Sequence, residues 1–259
     1  MKPFEIVAHR GIPNEAPENT LASFQRAIEL EAEAVEMDVR LSADHVPVVY
    51  HYYYLDEVTS GSGTVFNCAL EQLRQLEVYC KADPTVEVGH ISTLAEILEA
   101  IGGKIGLEIE IKGPEPECAD IIGSVLNQHR HLWNTIEVTS YEPALLLAVQ
   151  KHCPGIVTDL LFPLSESWMK PDVVQYQAIQ RARLAQARAV HLHPTQLSEE
   201  VVEAARQHGI EVHAWDVNDE QALELVTQLG IPRICTDQFR QAYAFRERLL
   251  VRNATQMGE

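Results

Sequence analysis

The chain has 259 residues, 46% hydrophobic and 22% charged, enough apolar material for a large core and unlike a disordered or fibrous chain. Lysine and arginine total 20 against 38 acidic residues, and the formal charge of −18 has the wrong sign for a generic nucleic-acid or anionic-membrane binder. No run of about 18 apolar residues occurs, so no stable membrane insertion is expected.

Predicted elements begin almost at once. EIVAH (5–9) reads as a strand, with no secretory apolar stretch around it, and ENTLASFQRAIEL (18–30) as a helix with Leu21, Phe24, Ala27 and Ile28 on one stripe. AVEMDV (34–39) and VPVVYH (46–51) read as strands joined by a short turn. Residues 52–90 break the rhythm: Ser60-Gly61-Ser62-Gly63, a helix-like ALEQLRQLEV (69–78) and Asp83-Pro84 read as an insertion after the third strand. Thr93 and Glu96 form a capping box for a helix ending near Gly102-Gly103. Strands LEIEI (107–111), TIEVTS (135–140), ARAVHLH (187–193) and IEVHAW (210–215) then alternate with helical stretches. Ser198 is placed to cap the stretch at 198–208 with Gly209 closing it, and Asn218 to cap the one at 218–229 with Gly230 closing it.

Short strands alternating with helices imply parallel pairing through crossovers, and about eight such units predict a (β/α)8 barrel forming one domain over residues 1–259. A doubly wound open sheet fits the period equally, but no glycine-rich phosphate fingerprint follows the first strand. The five cysteines are scattered, with no CxxC pair, and read as reduced thiols of a cytoplasmic protein.

The chemistry is suggested by polar residues on strands. In AVEMDV, Val35, Met37 and Val39 share one face and Glu36 and Asp38 the other; in LEIEIK, Glu108, Glu110 and Lys112 oppose Leu107, Ile109 and Ile111. Either strand alone suits a sheet with one solvated face, but parallel sheets are covered on both faces, so the charges are expected to point into the barrel. Gathered carboxylates need compensation, and an all-oxygen donor set favours Mg²⁺ or Ca²⁺. His9 and His51 each end a strand and are candidates for proton transfer. Arg10 and Lys112 at the same rim suit an anion such as a phosphate, although Arg10 also suits a structural ion pair. Trp215 either caps the core or walls a substrate.

His9-Arg10-Gly11, Glu18-Asn19-Thr20, Glu36-x-Asp38-Val39, His51 and Glu108-Ile109-Glu110-Ile111-Lys112 closely resemble the glycerophosphodiester phosphodiesterase family. Thr139-Ser140-Tyr141, Trp215-Asp216-Val217-Asn218 and Thr236-Asp237 resemble its later motifs, so the likeness spans nearly the whole chain. It implies a TIM-type barrel with a small insertion and one divalent cation, Mg²⁺ or Ca²⁺, held by Glu36, Asp38 and Glu110. It also implies His9 and His51 as the acid/base pair, Arg10 and Lys112 on the phosphate, and Trp215 bordering the glycerol. Glu18 and Asn19 are then supports of the first loop, and Glu108, where the family more often has asparagine, an extra ligand or a support. Tyr52 stands where the family usually has aspartate, and Glu31 and Glu33 replace its glycine and aspartate before the ExDV block. The expected reaction is hydrolysis of a small-molecule glycerophosphodiester to an alcohol and glycerol 3-phosphate. The alternatives are a lysophospholipase D-like barrel phosphodiesterase and a catalytically silent glycerophosphate-binding barrel. Homo-oligomerisation is left open.

Overall fold

The computed structural model of the chain describes residues 2–256. Its strands are β1 (Glu5–Ala8), β2 (Ala34–Leu41), β3 (Pro47–Val49), β4 (Glu77–Val78), β5 (Gly89–His90), β6 (Gly106–Ile111), β7 (Ile136–Ser140), β8 (Val157–Leu161), β9 (Ala189–Leu192), β10 (Glu211–Ala214) and β11 (Arg233–Thr236). The helices are α1 (Leu21–Glu29), α2 (Leu70–Leu73), α3 (Leu94–Ile101), α4 (Cys118–Gln128), α5 (Pro143–His152), α6 (Pro171–Leu184), α7 (Glu199–Gln207), α8 (Glu220–Gln228) and α9 (Phe239–Gln256).

Eight parallel strands close in the order β1-β2-β6-β7-β8-β9-β10-β11, with β11 returning to β1. The outward residues Val35, Met37, Val39, Leu107, Ile109 and Ile111 join one continuous core with the surrounding helices. The interior is unusual: only Val7, Ala34 and Cys235, with Trp215 against them, form an apolar plug, while the charged residues of β2, β6, β7 and β8 are buried around them. No helix among the described residues is long and apolar enough to cross a membrane.

The strand VPVVYH does not enter the ring. β3 folds back on β2 antiparallel, pairing Val49 with Val39 and Pro47 with Leu41, because the short turn through Ser42 and His45 (φ +60°) permits only a hairpin. The eighth ring strand is β8, followed by α6, a segment that the strand pattern passes over. The insertion builds a satellite core of Val48, Tyr50, Leu55, Val58, Val65, Leu73, Val78 and Ile91 around the small β4–β5 sheet. Its helix is four residues long, shorter than the ALEQLRQLEV pattern suggests, since the chain turns into β4 at Glu77.

Caps fall largely where the sequence places them. Thr93 and Glu96 bond reciprocally, Ser198 accepts from Val201 N, and Gly209 and Gly230 adopt positive φ. Asn218 is the exception: Asp219 caps α8 by accepting from Ala222 N, which frees Asn218 for the rim of the barrel.

Candidate active site

Three sequence blocks build the first corner. Arg10 (φ +55°) and Gly11 (φ +85°) turn the chain sharply after β1. A Cβ at Gly11 would lie 2.4 Å from Ser23 Oγ, so only glycine lets the loop settle on the start of α1. Ile12 N donates to that oxygen at 2.7 Å, and the Ser23 hydroxyl donates to Arg10 O. Thr20 caps α1. Buried Asn19 (φ +56°) donates to Asp38 Oδ2 at 2.8 Å and accepts from Asp38 N at 3.1 Å. Glu18 accepts from Arg10 Nη1 at 2.9 Å.

In-register pairing sets Asp38 on β2 beside Glu110 on β6, and Glu36, two residues earlier on the same face of β2, joins them. One oxygen from each lies within 4.8 Å of the others. Glu36 Oε1, Asp38 Oδ1 and Glu110 Oε1 are buried without a directed hydrogen bond. Lys112 Nζ approaches Glu110 Oε1 to 3.0 Å and Asp38 Oδ1 to 3.4 Å, and Arg10 Nε lies 3.2 Å from Asp38 Oδ2. Burial and the neighbouring Asp38 raise Glu36 to about 8. Burial lifts Glu110 to about 7 despite Lys112. Asp38 is held below the usual carboxylate range because Lys112 and Arg10 outweigh its burial. Three buried, hard oxygen donors, two of them shared with Lys112 and still repelling one another, fit a divalent cation such as Mg²⁺ or Ca²⁺.

Two imidazoles flank the carboxylates. His9 shares a 2.7 Å hydrogen bond through Nδ1 with Asp237, which leaves Nε2 3.8 Å from Glu36 Oε2. Burial disfavours its charge, but Asp237 and Glu36 prevail and raise His9 to about 9. Asn218 Nδ2 reaches Asp237 Oδ2 at 3.3 Å, and Asn218 Oδ1 accepts from Asp237 N and the Thr236 hydroxyl. His51 follows β3, its carbonyl held by Arg40 Nε at 2.7 Å. Burial lowers His51 to about 3, and its Nδ1 has no hydrogen-bond partner.

Tyr52 links the insertion to the first loop. Lys81 Nζ donates to its hydroxyl at 2.9 Å, and Glu18 Oε2 lies 3.4 Å from that oxygen. Two lobes meet at this ring. One, about 480 Å³, is bordered by His51, Tyr53, Glu110, Lys112 and Tyr141; the other, about 540 Å³, by His9, Arg10, Lys81, Asp216 and Asp237. Trp215 lies on the apolar plug with its ring 5.2 Å from that of His193.

Glu108 stands apart from the rim carboxylates. It is grouped with Glu137 and His191, and burial together with Glu137 pushes it well above the usual carboxylate range. Sequence reasoning gave Asn218 a helix cap and placed Asn218 and Asp237 in family-like motifs without a site role, and it gave no role to Lys81 or to the Asp159, His191 and His213 group. Barrel closure offered one signal: β11 lies beside β1 with Thr236 opposite Ala8, so Asp237 must neighbour His9.

The model of the glycerophosphoryl diester phosphodiesterase family matches residues 9–241. A glycerophosphodiester phosphodiesterase of Caldanaerobacter subterraneus subsp. tengcongensis is 30% identical over 238 residues, covering 90% of this chain and 93% of its own. The crystal structure of a Thermotoga maritima glycerophosphodiester phosphodiesterase aligns with TM-score 0.69 and 26% identity, covering 91% of this chain and 95% of its own. An Oleispira antarctica phosphodiesterase, solved in complex with its product sn-glycerol-3-phosphate, aligns with TM-score 0.80 and 28% identity over 93% of this chain and 95% of its own.

Proposed function

This chain belongs to the glycerophosphoryl diester phosphodiesterase family, and on that premise we propose that it hydrolyses glycerophosphodiesters to an alcohol and glycerol 3-phosphate, using one hard divalent cation and the pair His9 and His51. The observation that carries this reading is the meeting of three buried carboxylates, only partly compensated by Lys112, between two imidazoles.

Glu36, Asp38 and Glu110 would hold the cation, which when bound supplies a Lewis acid that polarises the phosphoryl oxygens. Arg10 and Lys112, already turned toward Asp38, supply positive charge where the phosphate gains negative charge in the transition state. Lys81 adds a cation on the far side of Tyr52. His51, kept neutral by burial, takes the proton of the attacking hydroxyl or water. His9 is oriented through Nδ1 by Asp237, so its Nε2 delivers a proton to the departing alkoxide. Trp215, packed on the apolar plug, would supply an apolar wall for the glycerol carbons.

Turnover of a panel of glycerophosphodiesters with Mg²⁺ and Ca²⁺ tests the reading. Glycerol 3-phosphate should appear, EDTA should abolish it, and His9→Ala or His51→Ala should lower kcat by about 10²–10⁴. Full activity after chelation or in Glu36→Gln would remove the cation from the mechanism.

Exposed Tyr53, Tyr54 and Phe66 on the insertion favour a second substrate class, lysophospholipids, whose acyl chain they would meet. Comparing a deacylated diester with a lysolipid separates the two.

A further inference from the structure

The chemistry at the rim leaves a second polar cluster unused inside the barrel. Asp159 on β8, His191 on β9 and His213 on β10 are buried, at 0%, 1% and 2% exposure. Parallel register places His191 opposite His213. His191 Nε2 lies 3.3 Å from Asp159 Oδ2 and 3.1 Å from His213 Nδ1, and His213 Nδ1 lies 3.8 Å from Asp159 Oδ2.

The outer ring nitrogens determine what these inner atoms can be. His213 Nε2 is 3.2 Å from Glu211 Oε2, and His191 Nδ1 is 3.4 Å from Glu108 Oε1. Glu211 only accepts, so it can hold the hydrogen of His213 on Nε2, and a hydrogen on His191 Nδ1, which has no directed partner, leaves Nε2 turned to the centre as an acceptor. In that tautomer both inner nitrogens and Asp159 Oδ2 present lone pairs to one buried point, all within 4.8 Å of one another. Such a convergence is the arrangement that a bound cation takes.

The dimensions suit one. Ligands about 2.0–2.1 Å from a tetrahedral zinc ion stand roughly 3.3–3.4 Å apart, within the observed spread. Imidazoles whose second nitrogen donates to a carboxylate are oriented as metal-binding histidines usually are. Asp159 is fixed independently: its Oδ1 accepts from Ala189 N at 3.0 Å and Arg188 Nε at 3.2 Å, and Arg188 also bonds Oδ2. The positive charge of Arg188 is offset by Glu137, which Arg188 Nη2 also meets at 2.6 Å. Glu108 Oε2 is buried in the same group with no hydrogen-bond partner, its nearest cation being Arg233 Nε at 4.0 Å.

We propose that Asp159, His191 and His213 form a second metal site, for a divalent transition ion of the zinc class, that clasps β8, β9 and β10 within the barrel. The donor set of two nitrogens and one oxygen selects a softer ion than the three oxygens at the rim, so the two sites are chemically separable. The inference does not depend on the proposed reaction.

The test is zinc content and zinc affinity of the full chain, produced in zinc-supplemented medium and dialysed extensively against magnesium buffer. One zinc per chain is expected in the wild type and in Glu36→Gln, and its loss in His213→Gln. Because His213→Gln could unfold the barrel, Glu211→Ala, which removes an exposed carboxylate, serves as the second variant. It should keep the fold by circular dichroism and weaken zinc about 10–100-fold in a chelator competition. Substoichiometric zinc in the wild type, zinc that follows Glu36 instead of His213, or unchanged affinity in Glu211→Ala would each overturn the proposal.

Discussion

Glu33→Ala should destabilise the protein from the end of the barrel opposite the catalytic rim. Arg246 of α9 is 1% exposed, and its Nη1 reaches Glu33 Oε2 at 2.9 Å and Phe4 O at 3.2 Å, while its Nε has no partner. The same Glu33 oxygen accepts from Ile6 N at 3.0 Å, and Lys2 Nζ reaches the other oxygen at 2.5 Å. Removing this carboxylate strands a buried guanidinium with one carbonyl and the Tyr243 ring for company. Breaking one partner of a buried pair costs about 3–5 kcal/mol. Glu33 keeps 16% side-chain exposure, so water can partly replace it and the lower figure applies. For a chain of this length about 3 kcal/mol corresponds to a fall in Tm of roughly 6–12 °C. Thermal and urea unfolding by circular dichroism measure the loss, and kcat well below the transition should be unchanged because the rim is untouched. In Arg246→Met the further substitution Glu33→Ala should cost much less. A loss under about 1 kcal/mol for Glu33→Ala, or an equal loss in the Arg246→Met background, would refute the reasoning.

Asn19→Ala, read by Mg²⁺ or Ca²⁺ titration, should weaken rim cation affinity about 10–100-fold, since Asn19 bonds both the side chain and the backbone of Asp38. Lys81→Ala should raise KM roughly fivefold with kcat retained, the effect of about 1 kcal/mol of anion binding; a fall in kcat alone would show that Lys81 acts on the transition state. Glu15 is lowered from 4.5 to about 2 by its hydrogen bond to Arg240 and then by Arg26. Its contribution is therefore fully present above about pH 4.5 and lost as pH falls from there towards 2, and Glu15→Gln should flatten that part of the pH–stability curve.

The ring and the rim carboxylates were legible because alternation in AVEMDV and LEIEIK is a local signal, and the structure turns those faces as the period requires. Less local features were not. VTDLL has an aspartate at its centre, and the apolar residues of α6 are spread around the helix, so β8 and its crossover leave no clean periodicity. VPVVYH has the pattern of a ring strand, and only the shortness of the preceding turn makes it a hairpin arm. Asp159, His191 and His213 sit singly on separate strands, and nothing but register joins them. Glu33 looks like a lost motif residue until the buried arginine 213 positions later is set against it.

The two histidines belong to different parts of the architecture. His9 leaves the closed ring, whereas His51 leaves β3, the hairpin arm that leads into the insertion and its satellite core. Half of the proposed proton-handling pair is thus mounted on an appendage whose own satellite core is separate from that of the cylinder. A lineage could silence or retarget such a catalyst by editing the stretch around Tyr52 to Lys81 alone, leaving an intact scaffold for new chemistry.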